Sequence, residues 1–287
     1  MSNTDHGPRT VEKVMNKKQW VLVTGAASGI GKAVAMLLAE RGFGVYAADI
    51  AMQQLNDMYQ EDTIQPIEID ITDEKDIDQA FGVIDKKGTG LFALINNAGI
   101  FSPGPLMALD IKQLVEQYDV NVFGTHRVTK AFFPLLLSSR GRIVNMSSVA
   151  GYVATPFSGP YASSKHAIEG WSDALRRELL PLDVKVIIIE PALVKTPIWD
   201  KDLGGRIERY RDTIFYEANR RKIEHEAFEA KRNGVQPEVV ADAVFRALVA
   251  PNPKPRYLVT NHRVLHRLVK FLPDTLVDRL LTKAIQE

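Results

Sequence analysis

"WVLVTGAASGIGKAVAMLLAERG", residues 20–42, decides the fold. Trp20–Gly25 is an apolar run stopped by glycine, as a buried strand would be. From Gly31 to Gly42, the residues Val34, Leu37, Leu38 and Arg41 recur at helical spacing, and Gly42 is a stop signal. Between the two, Gly25, Gly29 and Gly31 stand in the order G-x-x-x-G-x-G. Glycines there permit a tight turn and close backbone approach. The helix start then offers free N–H groups and a partial positive charge to a pyrophosphate. A glycine-rich turn without a ligand is the open alternative at this point.

Working outward, the pattern repeats. Gly44–Asp49, Ile64–Asp70, Leu91–Asn96, Gly141–Ser147, Val184–Glu190 and Arg256–Thr260 read as further strands. Helical spacing fills Met52–Gln60, Glu74–Asp85, Ile111–Leu137, Pro160–Leu180 and Pro237–Ala250. Strand alternating with helix requires crossovers and a parallel sheet, and continuous apolar strands imply cover on both faces. The expected fold is α/β: one Rossmann-type, doubly wound parallel sheet of about seven strands with helices on both faces. Residues 1–17 are expected to form a flexible polar tail, 18–261 the sheet domain, and 262–287 amphipathic helices. Within the domain, 196–236 is too long for a simple connection. It reads equally as a substrate lid or as a solvated helical insertion.

The bulk numbers exclude several classes. The chain has 287 residues, 45% hydrophobic and 25% charged, which suits one large domain. A net charge of +1 gives no global attraction to nucleic acid, and no nucleic-acid partner is expected. Absence of cysteine excludes disulfides, thiolate zinc sites and a cysteine nucleophile. No run of about 18 apolar residues is present, so a cytoplasmic location is expected. His262 and His266 lie four apart but lack further ligands, and no metal is expected.

Two stretches carry chemistry. Asp49 ends the second strand, where a carboxylate accepts hydrogen bonds from ribose hydroxyls. It repels a 2′-phosphate, and no basic residue follows in "ADIAMQQ"; Ser28, not a cation, precedes Gly29. NAD is therefore expected over NADP, the alternative for Asp49 being a helix cap. In "GPYASSKHAIEG", residues 159–170, Tyr161 and Lys165 fall on one face of a helix starting near Pro160. An ammonium beside a phenol lowers its pKa from about 10 and makes it usable as an acid or base. Alone, the pair also fits an ordinary surface contact.

These motifs together resemble the short-chain dehydrogenase/reductase family, closely from Gln19 to Gly170 and more loosely to Thr260. Thr24–Gly31 matches the family's T-G-x-x-x-G-x-G, Asn96–Gly99 its N-N-A-G, and Tyr161 and Lys165 its Tyr-x-x-x-Lys. The resemblance implies a catalytic set of Asn121, Ser148, Tyr161 and Lys165, with Asn121 fixing a water that links Lys165 to solvent. It implies cofactor contacts at Gly25, Ser28, Gly29, Ile30, Gly31, Asp49, Asp70, Ile71, Asn97, Ala98, Gly99, Pro191, Val194 and Thr196, besides Tyr161 and Lys165. The family has Pro-Gly where this chain has Pro191-Ala192. A positive φ there would strain the turn; any other φ makes the change harmless.

The activity so implied is hydride transfer between a nicotinamide and a secondary alcohol or ketone. The alternatives are an idle cofactor-binding protein and an enzyme of a small polar hydroxy compound. Tyr152, Phe157 and Trp199, with Ser148, are expected at the substrate, which the apolar positions suggest is lipophilic: a steroid, retinoid or aromatic. A homodimer or homotetramer is expected. At the C-terminus, Leu265, Leu268, Val269 and Leu272 precede Pro273, and Leu276, Leu280 and Leu281 follow it. Arg263, Arg267, Lys270, Arg279 and Lys283 flank them. This stripe packs on the substrate pocket or a second subunit, or else rests on an anionic membrane surface.

Overall fold

The computed structural model describes residues 18–59, 63–199 and 202–286; the expected N-terminal tail lies outside them. Seven strands form one sheet: β1 (Trp20–Thr24), β2 (Gly44–Asp49), β3 (Ile64–Glu68), β4 (Ala93–Asn96), β5 (Arg142–Met146), β6 (Lys185–Pro191) and β7 (Arg256–Val259). Their order is β3-β2-β1-β4-β5-β6-β7 and every pairing is parallel. The order reverses direction between β1 and β4, and a crevice forms there beyond the strand ends.

Two helical layers cover the sheet because both strand faces are apolar. On one side α1 (Gly29–Glu40) and α9 (Pro237–Val249) bury Val34, Leu38, Val240 and Val244 against Val23 and Ile189, with α2 (Met52–Met58) adding Leu55. On the other side α3 (Glu74–Lys86) and α5 (Thr125–Ser138) bury Ile77, Ile84, Phe132 and Leu136 against Leu22 and Leu94. Asp73 starts α3 by accepting from Lys75 N at 2.8 Å, satisfying an N–H that the helix leaves free.

One segment differs from its sequence pattern. The stretch expected as one helix over 111–137 is α4 (Ile111–Tyr118), a π-helical turn (Asp119–Gly124) and then α5. Asn121 occupies that widened turn. The 196–236 segment holds two helices, α7 (Leu203–Glu208) and α8 (Tyr216–Asn233), the second with Ile223 and Ala227 buried. After β7, α10 (Arg263–Val269) and α11 (Asp274–Gln286) flank Pro273 as expected.

Candidate active site

The turn from β1 to α1 is built around backbone that side chains would obstruct. Gly25 has φ +66°, and a Cβ there would lie 2.9 Å from Ala98 Cα. At Gly31 a Cβ would lie 2.1 Å from Gly25 O. The neighbouring strand is tied to this turn by Thr24, whose hydroxyl accepts from Asn97 N at 3.0 Å and Ala98 N at 3.1 Å. Asn97 Nδ2 donates back to Thr24 O at 2.9 Å. Asp49 receives Ala27 N at 3.0 Å and Ala51 N at 3.1 Å, so its carboxylate is fixed beside the turn. Asp70 accepts from Thr72 N and Oγ1 at 2.8 and 2.7 Å.

A cleft of about 630 Å³ runs from this turn to the ends of β4, β5 and β6. Of the residues expected at the cofactor, Gly31 alone does not line it. Gly31 is buried behind the wall, where its missing side chain lets helix and turn pack. The lining fits a nicotinamide dinucleotide: a glycine cradle at a helix N-terminus for the phosphates, Asp49 and Asp70 for the adenosine half, and Lys165, Thr196 and Tyr161 at the other end.

Tyr161 and Lys165 sit on the first turns of α6 (Gly159–Leu179). Phe101 packs edge-on against the Tyr161 ring at 5.1 Å and also meets Trp199 at 5.3 Å, which fixes the phenol's direction. Ser148 donates to Pro191 O at 3.2 Å and accepts from Ala150 N at 3.1 Å. Lys165 is 6% exposed, and its Nζ donates to Met146 O at 2.7 Å.

The electrostatics correct one expectation. Burial pushes the Tyr161 hydroxyl up to about 12, with Ser148 pulling it down less and Glu226 adding to the rise. Burial also brings Lys165 down to about 8, against the pull of Glu169. With Nζ 5.6 Å from the ring centre and bonded to a carbonyl, desolvation outweighs the expected lowering of the phenol by the ammonium. The phenol of this geometry is a proton donor at neutral pH. A stability consequence follows. Lys165→Met removes a desolvated ammonium and is expected to raise the unfolding temperature at pH 7. The gain is full below about pH 8 and shrinks toward 10.5, because in that window the unfolded chain keeps a proton that folded Lys165 has released. Thermal melts of both proteins across that range check it; equal melting at pH 7 counts against it.

Of the other expected residues, Tyr152 and Phe157 are found away from the substrate cavity. Asn121 is buried and lines neither cavity. Its Oδ1 accepts from Ile100 N at 2.8 Å, and its Nδ2 donates to Ile100 O and Ser164 Oγ, both at 3.1 Å. Through these bonds its side chain ties the loop after β4 to α6. Ala192 is not among the described non-glycine residues with positive φ, so Pro191-Ala192 carries no strain of that kind. Tyr152 and Phe157 are absent from the lining of the second cavity, which adjoins Tyr161. Tyr152 lies under Lys270 Nζ at 3.8 Å, and Phe157, at φ +61°, packs on Phe215.

That second cavity measures about 490 Å³ and shares Ser148, Tyr161, Ala192, Ile198 and Trp199 with the cleft. Its far walls are Glu226 from α8, which the sequence reading missed, and His266, Val269, Val277 and Leu281 from the C-terminal helices, whose stripe was expected on the substrate pocket or a second subunit. The helical stripe after Thr260 was the available signal.

With this geometry in view, the comparisons give the class. The family model for short chain dehydrogenases matches residues 19–204, well over half of the chain, and the chain belongs to that family. It is 34% identical to an NADPH-dependent 3-dehydrocapnine reductase of Ornithobacterium rhinotracheale, over 94% of this chain and 98% of that protein. It is 32% identical to retinol dehydrogenase 16 of Homo sapiens, over 92% and 88%. A short chain dehydrogenase from Burkholderia cenocepacia, solved in complex with NADP, superposes with a TM-score of 0.72 at 26% identity, over 92% of this chain and 98% of that one. The protein is an oxidoreductase that binds a nicotinamide cofactor and acts on a small molecule.

Proposed function

We propose that the protein uses NAD(H) to interconvert a secondary alcohol and its ketone, and that the substrate is bulky and lipophilic, of steroid, retinoid or aromatic kind. The observation that carries this is the second cavity: about 490 Å³, largely apolar, and opening on Tyr161 and Ser148. The similarity to a retinol dehydrogenase supports the same class. No lysine or arginine lines that cavity among the described residues, which weighs against a small hydroxy acid.

A bound nicotinamide supplies or takes the hydride. In reduction the Tyr161 hydroxyl, held protonated by burial, gives its proton to the substrate oxygen and is left as phenolate; in oxidation that phenolate takes the proton of the substrate hydroxyl. Ser148 orients that oxygen, and Phe101 and Trp199 keep water from the phenol. Turnover of a panel of steroid, aromatic and short polar ketones, followed by nicotinamide absorbance, tests the reading. It fails if the short polar compounds have the highest kcat/KM.

The preference for NAD rests on Asp49, which lines the cleft beside Ile50; among the described residues the cleft's one cation is Lys165, at the nicotinamide end. The NADPH-dependent relative points the other way, so the preference is a quantity to measure. Ile50 is 64% exposed and its replacement leaves the Asp49 bonds to the turn in place. Ile50→Arg is expected to raise the NADPH to NADH ratio of kcat/KM roughly tenfold, through a guanidinium–phosphate contact. A native protein that already prefers NADPH refutes the assignment.

The C-terminal helices support a further part of the reading. Their inner residues, Val269, Leu272 and Val277, line the cavity, while Val264, Leu268 and Phe271 are exposed beside Arg263 and Arg267. We place this outer face on an anionic membrane surface, from which a lipophilic substrate enters. Exposed Ile111, Val115 and Phe123 support contact with a second subunit; the mass of the particle in light scattering checks that.

A further inference from the structure

Among the described residues lining the substrate cavity, one bears a carboxyl group. It is Glu226, on the inner side of α8. Its Oε2 lies 2.7 Å from Lys222 Nζ, one helical turn earlier. Lys222 does not line the cavity; its ammonium is held behind the wall, where it also donates to Ser158 Oγ at 2.5 Å. Beyond that ion pair, no described residue donates a hydrogen bond to the Glu226 carboxylate, and its Oε2 is buried. An ionised carboxylate has about four acceptor sites, and leaving them unused in an apolar cavity costs stability.

An ion pair that serves only the helix itself is free to sit in solvent. The other pairs of this helix do so: Arg220 bridges Glu217 and Glu224, both carboxylates on the exposed side. The Lys222–Glu226 pair instead faces inward, with side chains 11% and 21% exposed. Glu226 shares its cavity with Tyr161 and Ser148, the groups assigned to the reacting oxygen. Its negative charge reaches the phenol, whose proton it helps to retain.

We propose that Glu226 is the recognition group for an ammonium on the substrate, so that the cavity takes a lipophilic amino ketone or amino alcohol. The reacting oxygen lies at Tyr161 and Ser148, the ammonium meets Glu226, and the apolar body fills the space under α10 and α11. Lys222 pairs with the carboxylate from behind and, held by Ser158, stays out of the cavity. With no lysine or arginine on the lining among the described residues, an anionic group gains no equivalent contact there. This inference rests on the alcohol–ketone reading above and refines its substrate class.

The experiment compares an aryl ketone bearing a dimethylammonium group with its uncharged isopropyl isostere. The native protein is expected to favour the charged ketone in kcat/KM by roughly tenfold or more, the range of a hydrogen bond to a charged group. Glu226→Gln removes the preference and Glu226→Asp keeps part of it. Reduction of the isostere reports on the alcohol–ketone reading by itself. If the isostere is reduced and the charged ketone gains nothing, Glu226 has no such role and the broader reading stands. If neither ketone turns over, the broader reading falls, and calorimetry still decides about Glu226. In the presence of NADH, hexylammonium is expected to bind the native protein and not Glu226→Gln, and hexanoate to bind neither. Equal binding of the two ions, or no binding of hexylammonium, overturns the proposal.

Discussion

Tyr161→Phe is expected to lower kcat by about a thousandfold or more while leaving nicotinamide binding close to native. The substitution removes one hydroxyl and keeps the ring. The edge contact with Phe101 at 5.1 Å depends on the ring alone, so the wall between cleft and cavity stays in place. The glycine cradle, Asp49 and Lys165 are untouched. What disappears is the donor aimed at the substrate oxygen, and positioned proton transfer is worth typically 10²–10⁴ in rate. Ser148, the described hydroxyl that shares this end of the cavity, does not replace it: it already donates to Pro191 O and is a far poorer acid. Ser148→Ala is expected to cost less, because it loses orientation and keeps the proton. Single-turnover reduction and NADH fluorescence titration measure the two quantities separately. A Tyr161→Phe protein within tenfold of native kcat places the proton donor elsewhere.

The parts of this site that the sequence displayed are those set by local backbone chemistry. A glycine turn between an apolar run and a helix has few other uses, and the parallel strands show as unbroken apolar runs because both faces are covered. Tyr161 and Lys165 were legible because a helix converts a spacing of four into one face. What the sequence hid depends on neighbours distant along the chain. The π-helical turn at Asp119–Gly124 keeps an apolar pattern that also fits a regular helix, and only its bonds to Ile100 and Ser164 show what Asn121 holds. Tyr152 and Phe157 lie between a 3-10 turn and α6, where closeness in sequence to Ser148 says nothing about side-chain direction. Phe157 is turned by its positive φ. The rise of the phenol pKa reflects burial, to which Phe101, from a distant segment, adds by packing on the ring. Glu226 looked like one more charge on a polar helix, since inward and outward pairs on α8 share the same i, i+4 pattern.

Truncation after Thr260 is expected to lower kcat/KM for bulky lipophilic ketones by about a hundredfold or more, while small ketones lose little. The deletion removes Leu265, His266, Val269, Leu272, Val277 and Leu281 from the cavity lining. Burying one aliphatic side chain is worth about 1.5–3 kcal/mol, so losing even two substrate contacts of that size reaches the stated effect. The catalytic end lies outside the deleted segment: Ser148, Tyr161, Ala192 and Trp199 all precede it. One bond reaches into the core, from Lys270 Nζ to Glu190 Oε1 at 2.9 Å, and Glu190 is 2% exposed. Its loss leaves Glu190 facing Arg256 at 3.7 Å as its remaining ion-pair partner, a cost to stability that NADH binding and a thermal melt will register apart from catalysis. A milder variant separates the two faces of these helices. Val264→Ser with Phe271→Ser alters side chains that are 72% and 85% exposed and leaves the cavity lining intact. That protein is expected to keep native kcat/KM for soluble ketones and to lose sedimentation with phosphatidylglycerol vesicles, because the apolar contact with the membrane is gone while the basic flank remains. Native protein that never sediments with such vesicles removes the membrane from the account and leaves the helices as a roof. A truncated protein that binds NADH and reduces bulky ketones at the native rate removes the roof.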